Sequence, residues 1–199
     1  ALKQAVLIGY LRTNPTEACI LPRIIRKEMH PLEEDQVAVF LREVQGYPHE
    51  YLYKIALFTG LREGEVLGLG WEHIDFQAGT LTVKRQLRRE QKKGGEYYFS
   101  PPKNNKSRCL TLAPSVIQLF RLQKLEQNSM RMEAGDAWEE HGLIFTNQTG
   151  GYLSYRTVYD CFKRIVRNIG APATRFHDLR HTFAVASIKS GDDIKTVQE

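Results

Sequence analysis

A change of pattern in the middle of the chain constrains the fold most. On both sides of residues 71–112, apolar side chains recur at helical spacing, whereas within that stretch short runs of β-favouring residues alternate with glycine, proline and asparagine. Ile74, Phe76 and Thr80–Val83 around Gly79 indicate one strand or hairpin, and Tyr97–Phe99 and Ser107–Leu112 indicate two more short strands. The sequence therefore predicts a mainly α fold of the α+β class with one small three-stranded antiparallel sheet.

The apolar periodicity also predicts where the helices lie. We expect them over residues 1–14, 31–46, 49–59, from about 63, and over 114–134, 137–141, 154–168 and 177–189. Asn14-Pro15 should end the first helix, because a residue that precedes proline disfavours the α conformation. Residues 192–199 are typical of the first two turns of another helix.

Composition and charge restrict the class of protein. The 199 residues carry a formal net charge of +5, which favours a polyanionic partner but also occurs in soluble proteins without one. Cys19, Cys109 and Cys161 have no C-x-x-C spacing, which is typical of reduced thiols inside a cell. No apolar run approaches the roughly 18 residues that a membrane span needs. We expect a cytoplasmic protein with no membrane partner.

Two short motifs, far apart in the sequence, each place an arginine where it could bind an anion. They are TGLREGE at residues 59–65 and HDLRH at residues 177–181. Arginine matches phosphate oxygens in pairs, and histidine exchanges a proton near neutral pH. Glu65 lies three residues after Arg62 and can orient it, and the spacing of His177 and Arg180 puts both on one helix face. Such a set suits phosphoryl transfer without a metal.

These motifs, together with VLGLGW at residues 66–71, resemble the catalytic domain of the tyrosine recombinases, the phage integrase family. The resemblance extends over nearly the whole chain. It implies that fold, truncated at its C-terminal end, and site-specific DNA recombination or integration through a 3′-phosphotyrosyl intermediate. It also implies a bacterial or phage-encoded enzyme that acts on duplex DNA as a homotetramer, with no cofactor and no metal.

The resemblance implies a role for each matching residue. Arg62 and Arg180 would bind the scissile phosphate, Lys103 on a hairpin would protonate the leaving 5′ oxygen, and His177 would assist proton transfer. Glu65 and His181 would hold these groups in place. Lys106 competes with Lys103, but counting back from the strand at Leu110–Leu112 favours the earlier lysine. The further cations expected on backbone phosphates are Lys84, Arg85, Lys106, Arg108 and Arg156.

The same resemblance divides the chain and marks what it lacks. Residues 1–14 would be the end of a helix from a preceding core-binding domain, 15–30 an interdomain linker, and 31–199 the catalytic domain. The family's nucleophile is a tyrosine well beyond the HxLRH motif, yet all nine tyrosines here precede His177. We therefore expect this chain alone to be monomeric and unable to cleave DNA.

Two other functions remain open at this point. One is a DNA-binding module that never cleaves, although binding alone does not require this set of residues. The other is a metal-dependent hydrolase, since His177 and His181 at i, i+4 with Asp178 beside them superficially resemble H-E-x-x-H. The arginine inside the motif would then lie beside a divalent metal, and no obvious third ligand follows downstream.

Overall fold

Helices dominate the computed structural model, which describes residues 2–20, 28–92, 94–103 and 105–191. The helices in this part of the chain are α1 (Leu2–Leu7), α2 (Glu34–Glu43), α3 (Glu50–Thr59), α4 (Glu63–Leu67), α5 (Pro114–Ala134), α6 (Tyr155–Asn168) and α7 (Phe176–Lys189). The strands are β1 (Ile74–Asp75), β2 (Thr80–Val83), β3 (Gln86–Arg89), β4 (Tyr97–Ser100) and β5 (Arg108–Thr111). None of the helices that the structure describes is long and apolar enough to cross a membrane.

The core lies where α2, α3, α6 and α7 meet. Each of these helices buries an aromatic ring, and the rings of Phe40, Tyr53, Phe162 and Phe176 lie 5.6–6.2 Å apart in four neighbouring pairs. α6 follows the predicted pattern closely: Ser154 caps it by accepting a hydrogen bond from the Arg156 N–H, and the apolar stripe from Val158 faces inward. The hydroxyl of Tyr53 donates to the Val158 carbonyl at 2.9 Å, so this buried phenol has a hydrogen-bond partner.

The sheet region confirms the fold class and corrects one strand. A three-stranded antiparallel sheet with the order β1-β2-β5 is present, with Leu81 opposite Leu110. The prediction that Tyr97–Phe99 would join it is wrong, because β4 pairs with β3 in a separate two-stranded sheet. Its aromatic side chains explain the separation: the rings of Tyr97 and Phe99 pack against Tyr152 at 5.2 and 6.0 Å.

Two predicted helices differ from the structure. The first ends at Leu7 instead of Asn14, because Gly9 adopts a left-handed conformation with φ of 79° that breaks the helix before the proline. The helix predicted over 137–141 does not form: a 3-10 turn spans Gly135–Ala137, and beyond it the Glu139 N–H donates to the Thr149 carbonyl. The predicted helix over 192–199 and residues 21–27 of the predicted linker lie outside the described residues.

The junction of α3 and α7 sets the position of the site. α3 ends at Thr59, and the next residue, Gly60, has a φ of 61° that turns the chain toward α4. A Cβ at this position would lie 2.5 Å from a ring carbon of Phe183 on α7. Only glycine therefore combines this backbone conformation with so close an approach of α7, and the chain segment that follows it carries Arg62.

Candidate active site

Arg62 and Glu65 form the first part of the site at the start of α4. Oε2 of Glu65 accepts the Arg62 backbone N–H at 2.9 Å, while Oε1 accepts Nη1 of the Arg62 guanidinium at 3.0 Å. The carboxylate thus ties the arginine side chain to the helix N-terminus, as the R-x-x-E spacing predicts. Glu65 itself is fully buried, whereas the Arg62 side chain is 32% exposed.

Arg108 on β5 binds the same carboxylate. Its Nη1 donates to Oε1 at 3.0 Å and its Nη2 to Oε2 at 2.8 Å, which is a bidentate ion pair. The sequence suggested only a phosphate contact for Arg108, so this partner was missed. The available signal was weak: alternation along β5 puts Arg108 and Leu110 on one face, but which element that face meets depends on the tertiary fold.

The hydrogen bonds to Glu65 determine its charge. Burial alone would raise the pKa of this carboxyl, but the side chain of Arg108 and the backbone and side chain of Arg62 outweigh burial and lower the pKa to about 2. Glu65 is therefore an anion at every physiological pH.

Arg180 on α7 completes the group of arginines. Its Nη1 donates to the Gly60 carbonyl at 2.6 Å, which fixes the guanidinium at the end of α3. Burial lowers the pKa of Arg180, and the positive charges of Arg62 and Arg108 lower it further, while Glu65 opposes them. The three guanidiniums thus lie close enough to repel one another, and with one carboxylate among them the group has an excess of two positive charges.

His177 lies on the same part of α7, beside these cations. Its pKa is lowered by burial first and then by His181, Arg180 and, more weakly, Arg62. The imidazole of His177 is therefore neutral near pH 7 and able to accept a proton. The His181 ring lies edge-on to it, with the ring centroids 5.0 Å apart.

Asp178 has a structural partner of its own. Its two oxygens accept three hydrogen bonds from the backbone N–H, Nε and Nη2 of Arg175, at 2.7–2.9 Å. Both oxygens are engaged at the start of α7, so among the described residues the carboxylate acts on the histidines only through its charge, which opposes the lowering of the His177 pKa. Among the described residues, no group of three His, Cys, Asp or Glu side chains is arranged to hold a metal ion.

The hairpin lysine has an exposed position. Lys103 is exposed in the turn between β4 and β5, where the Asn105 N–H donates to the Pro102 carbonyl at 2.8 Å. Among the described residues it forms no ion pair with Glu65, whose partners are Arg62 and Arg108. The structure therefore brings together Arg62, Glu65, His177 and Arg180 and adds Arg108. That Lys103 joins this group stays a prediction.

The other predicted phosphate contacts differ in their exposure and in their partners. Lys84 and Lys106 are exposed. Arg156 is exposed too, but it forms an ion pair with Asp160 at 2.6 Å. Arg85 is the most constrained, since its Nε donates to the Gly68 carbonyl at 2.9 Å and its guanidinium lies 4.2 Å above the centre of the Phe99 ring.

A second glutamate of the same motif lies in a different environment. Oε1 of Glu63 is buried and has no hydrogen-bond partner among the described residues. Burial raises the pKa of Glu63 to about 7, opposite in direction to the change at Glu65 two residues later. The R-x-x-E spacing predicts an arginine partner for Glu65, but nothing in the sequence predicts that Glu63 is buried without one.

Comparisons with known proteins identify the family of the chain. The model of the phage integrase family matches residues 30–199. A tyrosine recombinase XerC-like protein of Caldanaerobacter subterraneus is 28% identical over 98% of this chain and 54% of its own length. An integrase of Streptomyces ambofaciens is also 28% identical, over 92% of this chain and 48% of its own. The chain therefore spans about half the length of these relatives.

Solved structures show the same fold. The integrase of the Tn1549 transposon, solved in complex with a circular intermediate DNA, superimposes with a TM-score of 0.76 at 24% identity, over 98% of this chain and 65% of that one. The XerH site-specific recombinase bound to its difH substrate gives a TM-score of 0.63, over 93% of this chain and 51% of that one. The chain belongs to the phage integrase family, and its fold is that of a tyrosine recombinase catalytic domain.

Proposed function

We propose that this chain is the catalytic part of an enzyme that recombines or integrates DNA at specific sites by phosphoryl transfer without a metal. One observation carries the proposal: Arg62 and Arg180 converge around a buried carboxylate, with a neutral His177 beside them. A phosphodiester suits this arrangement, because it brings one negative charge and two non-bridging oxygens to a site with an excess of two positive charges. Relatives solved with DNA support the choice of substrate.

The two arginines would stabilise the charge that builds on the phosphate. In the described part of the chain, Arg62 uses only Nη1 of its guanidinium, and Arg180 likewise uses Nη1. Their remaining N–H groups can donate to the non-bridging oxygens. Since Glu65 and the Gly60 carbonyl fix both guanidiniums in advance, little reorganisation is needed in the transition state.

The reaction also moves two protons. The phenol oxygen of a tyrosine would attack phosphorus, and the bond from phosphorus to the 5′ oxygen would break, leaving a 3′-phosphotyrosyl link. His177 would assist removal of the phenol proton, and Lys103 would give a proton to the departing 5′ oxygen. Lys103 is exposed in its turn, so its amine would be free to reach the 5′ oxygen of a bound duplex. None of the nine tyrosines follows His177, so we propose a nucleophile outside residues 1–199.

The test uses the full-length protein and a nicked suicide substrate that traps the covalent link. Arg62→Ala and Arg180→Ala should each reduce the rate of attachment by on the order of a hundredfold or more, with duplex binding nearly intact. Arg131→Ala is the control, since Arg131 is an exposed residue of α5 that forms an ion pair with Glu140. Wild-type attachment rates in both arginine variants would refute the proposal, and an absence of any attachment by the wild-type protein would favour a module that only binds DNA.

A further substrate tests the hairpin lysine. Lys103→Ala should slow attachment, and a 5′-thio leaving group should restore the rate because a thiolate leaves without a proton. If Lys106→Ala responds in this way and Lys103→Ala does not, the later lysine is the acid.

The assembly is part of the same proposal. We propose that the full-length protein acts in the cytoplasm as a homotetramer on two duplexes and that residues 1–199 alone are monomeric. Light scattering on this chain, and on the full-length protein with and without its DNA site, measures both states. A stable oligomer of residues 1–199 without DNA would contradict the second statement.

A further inference from the structure

Both oxygens of the Glu65 carboxylate accept hydrogen bonds from two arginines, Arg62 and Arg108. Oε1 accepts Nη1 of Arg62 and Nη1 of Arg108, while Oε2 accepts the Arg62 backbone N–H and Nη2 of Arg108. Four hydrogen bonds therefore occupy a carboxylate that has no contact with solvent. Arg108 supplies two of them and holds both oxygens at once.

This sharing limits what Glu65 can do to Arg62. A carboxylate with a single arginine partner favours a bidentate pair, in which two guanidinium N–H groups are consumed and the charge is largely neutralised. Here Arg108 forms the bidentate pair, and the guanidinium of Arg62 donates only one hydrogen bond to Glu65. The remaining N–H groups of Arg62 stay available, and its positive charge is only partly compensated.

Burial indicates how Arg108 acts. Its side chain is 16% exposed, half the value of the Arg62 side chain, and both of its terminal nitrogens point at Glu65. The position of the Arg108 side chain therefore fits a contact with Glu65 better than a contact with DNA.

We propose that Arg108 is a positioning residue of the active site, which occupies Glu65 so that the guanidinium of Arg62 remains directed at the phosphate. The inference rests on the proposed function, since it assigns Arg62 to the phosphate. It predicts that removing Arg108 slows the chemical step while DNA still binds.

The first experiment compares Arg108→Met and Arg108→Lys in the full-length protein, with covalent attachment measured at saturating DNA and the dissociation constant for DNA measured separately. Arg108→Met should lower the attachment rate by on the order of a hundredfold, the scale of a small misplacement at a reacting centre. Arg108→Lys should recover part of that loss, because lysine keeps one positive charge beside the Glu65 carboxylate. DNA affinity should change by no more than about threefold, since a residue that acts through Glu65 adds no phosphate contact.

Lys163→Met is the matched control for losing a half-buried cation. Lys163 on α6 donates to the carbonyls of Pro172 and Thr174, away from the arginines. An attachment rate in Arg108→Met equal to that of Lys163→Met would overturn the inference. So would an unchanged rate at saturation combined with a weaker, less salt-dependent DNA affinity, because that result marks a direct phosphate contact.

Two further readouts separate positioning from a loss of folding. The charged groups that face Glu65 are Arg62 at the start of α4, Arg108 on β5 and Arg180 on α7. Without Arg108 the pKa of Glu65 should rise, so the attachment rate of Arg108→Met should fall at a higher pH on the acidic side than that of the wild type. In a Glu65→Gln background, Arg108→Met should have little further effect, and this double variant removes both buried charges if the single variant does not fold.

Arg62→Ala and Arg180→Ala distinguish the two possible failures. If both retain wild-type attachment, the proposed function is wrong. If both lose attachment and Arg108→Met does not, only the role of Arg108 is wrong.

Discussion

The opposite environments of Glu63 and Glu65 predict opposite effects of the same substitution on stability. Burial raises the pKa of Glu63 from 4.5 to about 7, so the folded protein keeps a proton that the unfolded chain loses between these values. Stability from this group is therefore present below about pH 4.5 and lost as the pH rises toward 7. At about 1.4 kcal/mol per pKa unit, ionising Glu63 in the folded protein would cost about 3 kcal/mol of stability. Partial exposure of the side chain reduces this cost to about 1–2 kcal/mol.

Glu63→Gln removes this cost, because an amide imitates the protonated carboxyl at every pH. Urea unfolding should show the variant close to the wild type near pH 4.5 and about 1–2 kcal/mol more stable near pH 8. Glu65→Gln should do the reverse: its pKa of about 2 means that the carboxylate stabilises the fold above the unfolded value of 4.5. Its loss should be destabilising near pH 8 and less so as the pH falls toward 2.

Glu34→Gln, at an exposed position in the first turn of α2, measures the background effect of removing a negative charge. The reasoning is refuted if Glu63→Gln destabilises the protein near pH 8, or if its effect does not change between pH 4.5 and 8 after subtraction of that background.

Three other predictions follow from packing and charge. Gly60→Ala should destabilise the fold by about 2 kcal/mol or more, since it adds left-handed strain to a clash with Phe183; thermal unfolding checks this, and an unchanged Tm would contradict it. Phe162→Ala should cost about 3–5 kcal/mol by opening a cavity among the core rings, as measured by urea unfolding against the exposed control Tyr159→Ala. Residues 1–199 should bind duplex DNA weakly, with affinity falling at least about tenfold between roughly 50 and 200 mM salt; a salt-independent affinity in fluorescence anisotropy would argue against phosphate contacts.

Short-range patterns made most of the fold predictable. The helical repeat that ends in Asn168, together with the Ser154 cap, defines α6 within one residue, and HDLRH falls on α7 as expected. The R-x-x-E spacing likewise predicts the contact between Arg62 and Glu65, because both partners lie in one turn.

The parts that were missed depend on contacts between distant residues. Arg108 binds a carboxylate 43 residues away, through a strand whose inward face only the tertiary structure defines. The separate sheet of β3 and β4 depends on stacking against Tyr152, which lies beyond the whole of α5. The conformation of Gly9, which ends α1 early, has no periodic signal at all.

The hydrogen bond from Arg180 to the Gly60 carbonyl joins residues that are 120 positions apart. During synthesis Arg62 leaves the ribosome long before Arg180. The nascent chain therefore carries much of its basic charge before the group of arginines can form. Such a chain carries positive charge but lacks the contact that fixes Arg180 beside the end of α3. The group of arginines therefore forms only when α7 docks against α3, after more than a hundred further residues have been made.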